Sequence, residues 1–205
     1  DGKTPAVAFN LITLAMMVDT PMLPDLSGHV VMVGVMTMTP LHLRSGGHAL
    51  EVVGFVISLH IIGMYALSPL VGRAADRFGA RTVIAAGGVL LALGSGFASG
   101  AEASDSRGVY LGLFLIGLGW SCGLVAGSAL LVRTFDGPHR VGIQGLADLC
   151  MTTSGGLAGL GSGFMVAVAG YQNLARIGVV VGLAPTVVVA VMVISGRRQR
   201  DPLPA

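Results

Sequence analysis

The sequence predicts an all-α membrane protein built from six transmembrane helices. Three observations carry this prediction. Only 11% of the 205 residues are charged while 53% are hydrophobic, against the roughly 25% charged residues of an ordinary soluble domain. The mean hydropathy is +0.82. Apolar stretches of about 20 residues, the length that crosses a bilayer as a helix, recur six times, with most of the charge in the segments between them. So little charge cannot clothe a globular surface, and lipid is the solvent that fits. Only 5% of residues are aromatic, too few for the aromatic girdles of a membrane barrel. In lipid an open-ended structure must satisfy its backbone internally, which leaves helices.

Taken in order, residues 1–22 read as a lead-in segment, interfacial or linker. The chain starts at Asp1 without an initiator Met and reads as a fragment or a processed product. The run from Ala6 to Val18 has the length of a signal-peptide core, but no basic region precedes it and no small-residue cleavage site follows it. Residues 23–195 form the six-span domain. Its stretches run from Leu23 to Leu43, Val52 to Gly72, Thr82 to Ala101, Tyr110 to Val132, Leu146 to Ala169 and Leu174 to Ile194. Pro24, Asp25 and Pro40 interrupt the first and make it the weakest of the six. Residues 196–205 are a basic tail.

The connections carry an asymmetric charge. With the N-terminus inside, the inner segments hold Lys3, Arg73, Arg77, Arg81, Arg133, Arg140, Arg197, Arg198 and Arg200, and the outer ones only Arg44, Arg107 and Arg176. An excess of Lys and Arg marks the cytoplasmic side. Both termini are therefore expected in the cytoplasm, which an even number of spans permits. Cys122 and Cys150 lie in apolar segments and read as small hydrophobes, not as a disulfide or a metal site. No cofactor and no nucleic-acid surface is implied.

Small residues recur every fourth position at Gly88, Ala92, Gly96 and Gly100, at Gly119, Gly123 and Gly127, and at Gly155, Gly159 and Gly163. Such stripes let helix backbones approach where lipid gives no hydrophobic drive. They serve static packing or sliding surfaces alike.

The segment Gly72-Arg73-Ala74-Ala75-Asp76-Arg77-Phe78-Gly79-Ala80-Arg81 stands between the second and third stretches. Gly72 permits a tight helix exit and Gly79 a backbone turn at positive φ. Asp76 can meet the positive end of a helix, and Arg77 and Arg81 add fixed cations. Read from its residues, this is an electrostatic latch or a charged turn that sets topology. Its pattern of Gly72, Asp76, Arg77, Gly79 and Arg81 resembles the signature loop of the major facilitator superfamily, found between the second and third helices of each six-helix half. It departs at Thr82, where the family often has a second basic residue. The resemblance covers residues from about 23 to 200. It implies a three-plus-three inverted repeat and a loop that holds the two halves together on the cytoplasmic side.

The fourth stretch lacks the embedded Arg common in the N-terminal halves of drug exporters, the fifth has Gly155-Gly156 without a following Pro, and a basic tail ends the chain. All three favour the C-terminal half. The stretches from Val31 to Leu43 and from Val53 to Pro69 also look like the seventh and eighth helices of actinobacterial-type members. The resemblance thus implies half of a secondary active transporter in the cell membrane, working by alternating access. It would be a proton- or gradient-coupled exporter of small organic or hydrophobic solutes. Its partners would be the bilayer, a missing N-terminal half or a second copy, and a small-molecule substrate.

Ionisable groups within spans are functional candidates by default. His60 sits mid-span between Ser58 and Tyr65, to bind substrate or carry a proton, or to tie two helices. Asp25 and His29 are four residues apart on one helix face, a proton-sharing pair or a helix cap beside a histidine. Asp148, at the cytoplasmic end of the fifth stretch, could pair with Arg77 or Arg81, join a proton path, or sit as a helix-terminal acid. Met32, Met36 and Met38 offer a soft surface for ligands or ordinary packing.

Functions of other classes fare worse. An intramembrane protease of the rhomboid type needs Gly-x-Ser-Gly, but Leu160, Leu93 and Thr152 stand two residues before Ser162, Ser95 and Ser154. No phosphate-binding Gly-rich loop with Lys is present. The chain reads as no enzyme. A non-transporting six-helix membrane scaffold or assembly protein is the alternative, one that would not need the latch loop.

Overall fold

The computed structural model describes residues 22–104, 106–134 and 139–198. The lead-in before residue 22, the connection at 135–138 and the end of the basic tail lie outside the described residues. The regular elements among the described residues are all helices: α1 (Met22–Ser45), α2 (Leu50–Ile61), a π-helical turn (Ile62–Ala66), α3 (Ser68–Phe78), α4 (Ala80–Gly100), α5 (Arg107–Thr134), α6 (His139–Ala169), α7 (Tyr171–Gly182) and α8 (Ala184–Arg198). Taken as continuous rods these are six: α1, α2 with α3, α4, α5, α6, and α7 with α8. They correspond to the six apolar stretches in order.

Five rods, Leu23–Ser45, Leu50–Phe78, Ala80–Gly100, Arg107–Arg133 and Tyr171–Ile194, are long and apolar enough to cross a membrane. α6 has ample length at 31 residues, but Asp148, Thr152, Thr153, Ser154 and a run of glycines dilute its hydropathy. The helices outrun most of the stretches read from hydropathy because polar residues at the ends still complete backbone hydrogen bonds. α1 continues through Pro40. Proline removes one N–H from the ladder, and nearby Thr37 and Thr39 bond back to the carbonyls of Val33 and Val35.

Two features depart from the sequence expectations. Gly72 does not end a helix: α3 runs on through it to Phe78, and Gly79 is the residue that breaks the chain. The second rod is also not uniform. Its π-helical turn and then Leu67, at φ −93° and ψ −1°, separate α2 from α3, and Pro69 opens α3. Irregular turns of this kind need a neighbour to satisfy or cover the backbone. Here α5 does so, coming close enough at Gly63 that a methyl there would lie 2.5 Å from the carbonyl oxygen of Phe114.

α4 and α5 pack backbone to backbone. A methyl on Gly87 would sit 2.7 Å from the Gly119 carbonyl oxygen, and one on Gly119 equally close to that of Gly87. Gly94 and Gly112 repeat the relationship two turns away. Gly88 faces Gly182 and Thr186, whose hydroxyl donates to the Ala85 carbonyl at 2.7 Å. Gly100, Gly156 and Gly163, by contrast, have open space around them. The predicted stripes are thus packing surfaces only in part: Gly88 and Ala92 of α4 face α7 and α8 and Gly119 of α5 faces α4, whereas Gly100 of α4 and Gly163 of α6 meet open space, and the α4 glycines against α5 are Gly87 and Gly94.

The main core draws Val31, Met32 and Val35 of α1, Val56 of α2, Leu91 of α4 and Leu113 and Ile116 of α5 into one cluster. Met32 is buried in it, with Met36 and Met38 packed against it, so these methionines pack rather than form an open surface. A second cluster joins α3, α4, α5 and α8 through Val71, Ile84, Ala126 and Val189. α6 lies at the edge against α1 and leaves Leu149, Leu157, Leu160, Phe164 and Val168 exposed.

Candidate functional site

The first turns of α1 carry the chemistry. Asp25 lies in the first turn, against the glycine stripe of α5. A methyl at Gly127 would collide with both carboxylate oxygens, and one at Gly123 would touch Oδ1 at 3.4 Å. Oδ1 is buried without a hydrogen-bond partner among the described residues. A buried polar atom left unpaired is costly and calls for a functional account. One turn later, His29 Nδ1 accepts a hydrogen bond of 2.9 Å from the indole N–H of Trp120 in α5. The other face of the His29 ring abuts α6, where a methyl at Gly155 would fall 2.5 Å from Nε2. Trp120 is 6% exposed and meets the Tyr65 ring edge-on, with centroids 6.0 Å apart and planes at 81°. Residues of α1, the π-helical turn, α5 and α6 therefore converge on one spot.

Asp25 and His29 share one face of α1 and both meet α5, His29 through Trp120 and Asp25 against Gly123 and Gly127, and no hydrogen bond joins the two among the described residues. Asp148 of α6 lines a small crevice together with Asp25, Ser128 and Gln144. Its carboxylate accepts from Gln144 Nε2 at 3.1 Å, not from Arg77 or Arg81. The two acids thus share a crevice across α1 and α6.

His60 stands apart from this group. It is fully buried, and its Nδ1 lies 2.7 Å from the Leu113 carbonyl oxygen. Gly117 of α5 leaves it room, since a methyl there would come within 3.1 Å of Nδ1. The residue is a tie between α2 and α5, with Nε2 buried and unpartnered among the described residues.

At the other end of the second rod, Asp76 occupies the last turn of α3. Its Oδ1 accepts from Arg133 Nη2 at 3.1 Å, both side chains being largely exposed. Arg133 ends α5, where a cation also complements the helix dipole. Asp76 thus meets a cation of its own chain. Arg77 lies over the Phe78 ring with Cζ 5.5 Å from the centroid, Gly79 takes φ +90°, and Arg81 is exposed in the first turn of α4.

Sequence reasoning missed Trp120. The available signal was a single tryptophan set between Gly119 and Gly123, where flanking small residues give a large ring room between helices.

A family model described as Major Facilitator Superfamily matches residues 8–205. The chain belongs to the major facilitator superfamily. Three relatives are similar to it: an uncharacterized MFS-type transporter of Bacillus subtilis (strain 168), YddS, 41% identical over 75% of this chain and 35% of the relative; a second from the same organism, YdeG, 39% identical over 75% and 36%; and a protein of Brucella anthropi named riboflavin transporter RfnT, 26% identical over 71% and 36%. The matched segment therefore spans about a third of the length of these curated relatives. Family membership agrees with the resemblance carried by the loop from Gly72 to Arg81, and with the apolar helices it makes the chain an integral membrane protein.

Proposed function

We propose that this chain is one six-helix half, the C-terminal one, of a secondary active transporter of small organic solutes. The half works by alternating access against a complementary six-helix half or a second copy. The observation that carries this reading is the convergence of Asp25, His29, Tyr65 and Trp120 from three elements of a major facilitator fold, with Gly155 of a fourth against them. Ionisable groups within a membrane-spanning helix are expensive and are kept for function. Asp25 and His29 are its coupling groups, Asp148 supplies a second acid to the crevice it shares with Asp25, and His60, apart from them, holds α2 to α5. The exposed apolar faces of α6 and of the second rod, with Leu157, Leu160 and Phe164 on one and Phe55, Ile62 and Leu70 on the other, fit a partner half or lipid better than water. The loop from Gly72 to Arg81 is the cytoplasmic latch. In this reading coupling is to a proton or ion gradient, the direction is export, and both ends lie in the cytoplasm of a cell-membrane protein, a topology that the charge bias supports.

Reconstituted into liposomes as a proven monomer, the chain is expected to carry no solute. With a complementary half, taken from the YddS-named relative, it is expected to move a solute when driven by an imposed proton gradient. Riboflavin, the solute in the name of one relative, is the first to try. Transport by the monomer would sink the half-transporter reading. Failure of the paired halves across a panel of organic solutes favours the scaffold alternative.

A further inference from the structure

The hydrogen bond between Trp120 and His29 fixes more than a distance. An indole nitrogen carries a hydrogen and can only donate. The imidazole nitrogen it meets must therefore present a lone pair, so the neutral ring of His29 holds its proton on Nε2, on the side of Gly155 in α6. An imidazolium has N–H groups on both nitrogens and no acceptor. Once Nδ1 takes a proton, two donors face each other and the bond to Trp120 cannot persist.

We infer that His29 and Trp120 form a proton-operated clasp between α1 and α5, closed while Nδ1 is bare and opened when a proton binds there. One proton, delivered by hydronium that becomes water or by a carboxyl group that becomes a carboxylate, forms an N–H bond at Nδ1, the indole N–H is released, and no bond between heavy atoms of the chain changes. The surroundings leave few competitors for this role. On α1, Asp25 lies one turn before His29 with Oδ1 buried and unpartnered. α5 presents Trp120 and glycines. The π-helical turn presents Tyr65, against the Trp120 ring. α6 presents Gly155, with Asp148 two turns earlier in the crevice it shares with Asp25. The clasp deepens the coupling role proposed for Asp25 and His29, but it operates whether or not a solute moves.

Trp120 is the chain's single tryptophan, so its signals report on the clasp alone. In the full 205-residue chain in lipid nanodiscs, titrated between about pH 8 and pH 5, the range in which histidines change charge, tryptophan emission is expected to fall in one step. The one indole N–H resonance in a spectrum of 15N-tryptophan-labelled protein is expected to shift in the same step. His29→Asn keeps an acceptor oxygen near the Nδ1 position but takes no proton, so the step should be lost and the resonance stay where wild type has it at high pH. His60→Asn should retain the step. A wild-type protein without the step, or a step that survives His29→Asn, overturns the clasp. Should His29→Asn fail to fold, the 15N shifts of the wild-type histidines decide: an indole resonance unmoved while Nδ1 of His29 becomes protonated overturns it, and coincident movement supports it. Paired halves that carry no solute while this chain shows the step would sink the transport reading and leave the clasp standing.

Discussion

Gly79 and Gly170 hold nearly the same backbone conformation, at φ 90° and ψ 142° and at φ 82° and ψ 163°, and each joins two helices as a single-residue link. They occupy equivalent places in chain order, between the second and third rods and between the fifth and sixth. That is the correspondence expected of a three-plus-three repeat. Glycine reaches this region freely, and other residues pay about 1–3 kcal/mol to enter it. Gly79→Ala and Gly170→Ala should therefore each lower stability by about that much, read as a shift in the urea midpoint of the purified protein in detergent. Gly163→Ala, in open space in the C-terminal half of α6, should stay within about 0.5 kcal/mol. A Gly170→Ala protein as stable as wild type would refute the assignment of strain at that link.

The pairing of Asp76 with Arg133 is largely exposed, and exposed ion pairs contribute about 0–1 kcal/mol. Its importance is therefore expected in conformational balance rather than in folding. Asp76→Asn should insert and melt like wild type. When this chain is paired with a complementary half, the variant should turn over more slowly and open more readily to the cytoplasm, which cross-linking between the halves can read. Normal turnover with normal accessibility would reduce the loop to a topological turn.

Orientation follows from the distribution of nine and three basic residues. In a cysteine-free background, single cysteines at Ser45 and Ser104 should react with impermeant reagents applied outside intact cells. Cysteines at Arg77 and Gly79, both exposed at the α3–α4 junction, should react only after permeabilisation. The opposite pattern would invert the proposed topology.

The rods were legible because hydropathy over about 20 residues is a strong, local signal. Gly79 was legible for a similar reason, since a glycine between charges has few other uses. Gly72 misled because a glycine inside a membrane helix, here against Val125 at 4.0 Å, looks the same in sequence as one that ends it. The π-helical turn left no local mark, as it depends on the close approach of α5 at Gly63. The site was half legible. Asp25 and His29 stood out as ionisable groups in an apolar stretch, but their partners come from more than 90 residues away: Trp120 by a hydrogen bond, Gly127 and Gly155 by the space they leave. Asp148 looked like a partner for the latch cations by its place at the cytoplasmic end, whereas its local contact is Gln144, one helical turn earlier.

Asp25 and His60 should separate cleanly when replaced. Both are buried groups with an unpartnered atom, but their settings differ. His60 already holds one firm contact, to the Leu113 carbonyl, on two helices that pack through Gly63 and Gly117. Losing it removes a tie and leaves a cavity, and truncating a buried side chain of this size costs about 2–5 kcal/mol. His60→Ala should therefore lower the unfolding midpoint while leaving the pH response of Trp120 emission in place. Asp25 holds no such contact through Oδ1, so Asp25→Asn removes a titratable group while keeping volume and shape, and insertion and stability should stay close to wild type. If the carboxylate exchanges protons with the medium or with His29, the paired halves carrying Asp25→Asn should lose dependence on an imposed proton gradient while still binding solute. Measuring gradient-driven flux and solute binding on the same preparation distinguishes the two roles. Gradient-driven flux at the wild-type level in Asp25→Asn would remove Asp25 from the coupling machinery, and an unchanged midpoint in His60→Ala would show that the Leu113 contact does not hold α2 to α5.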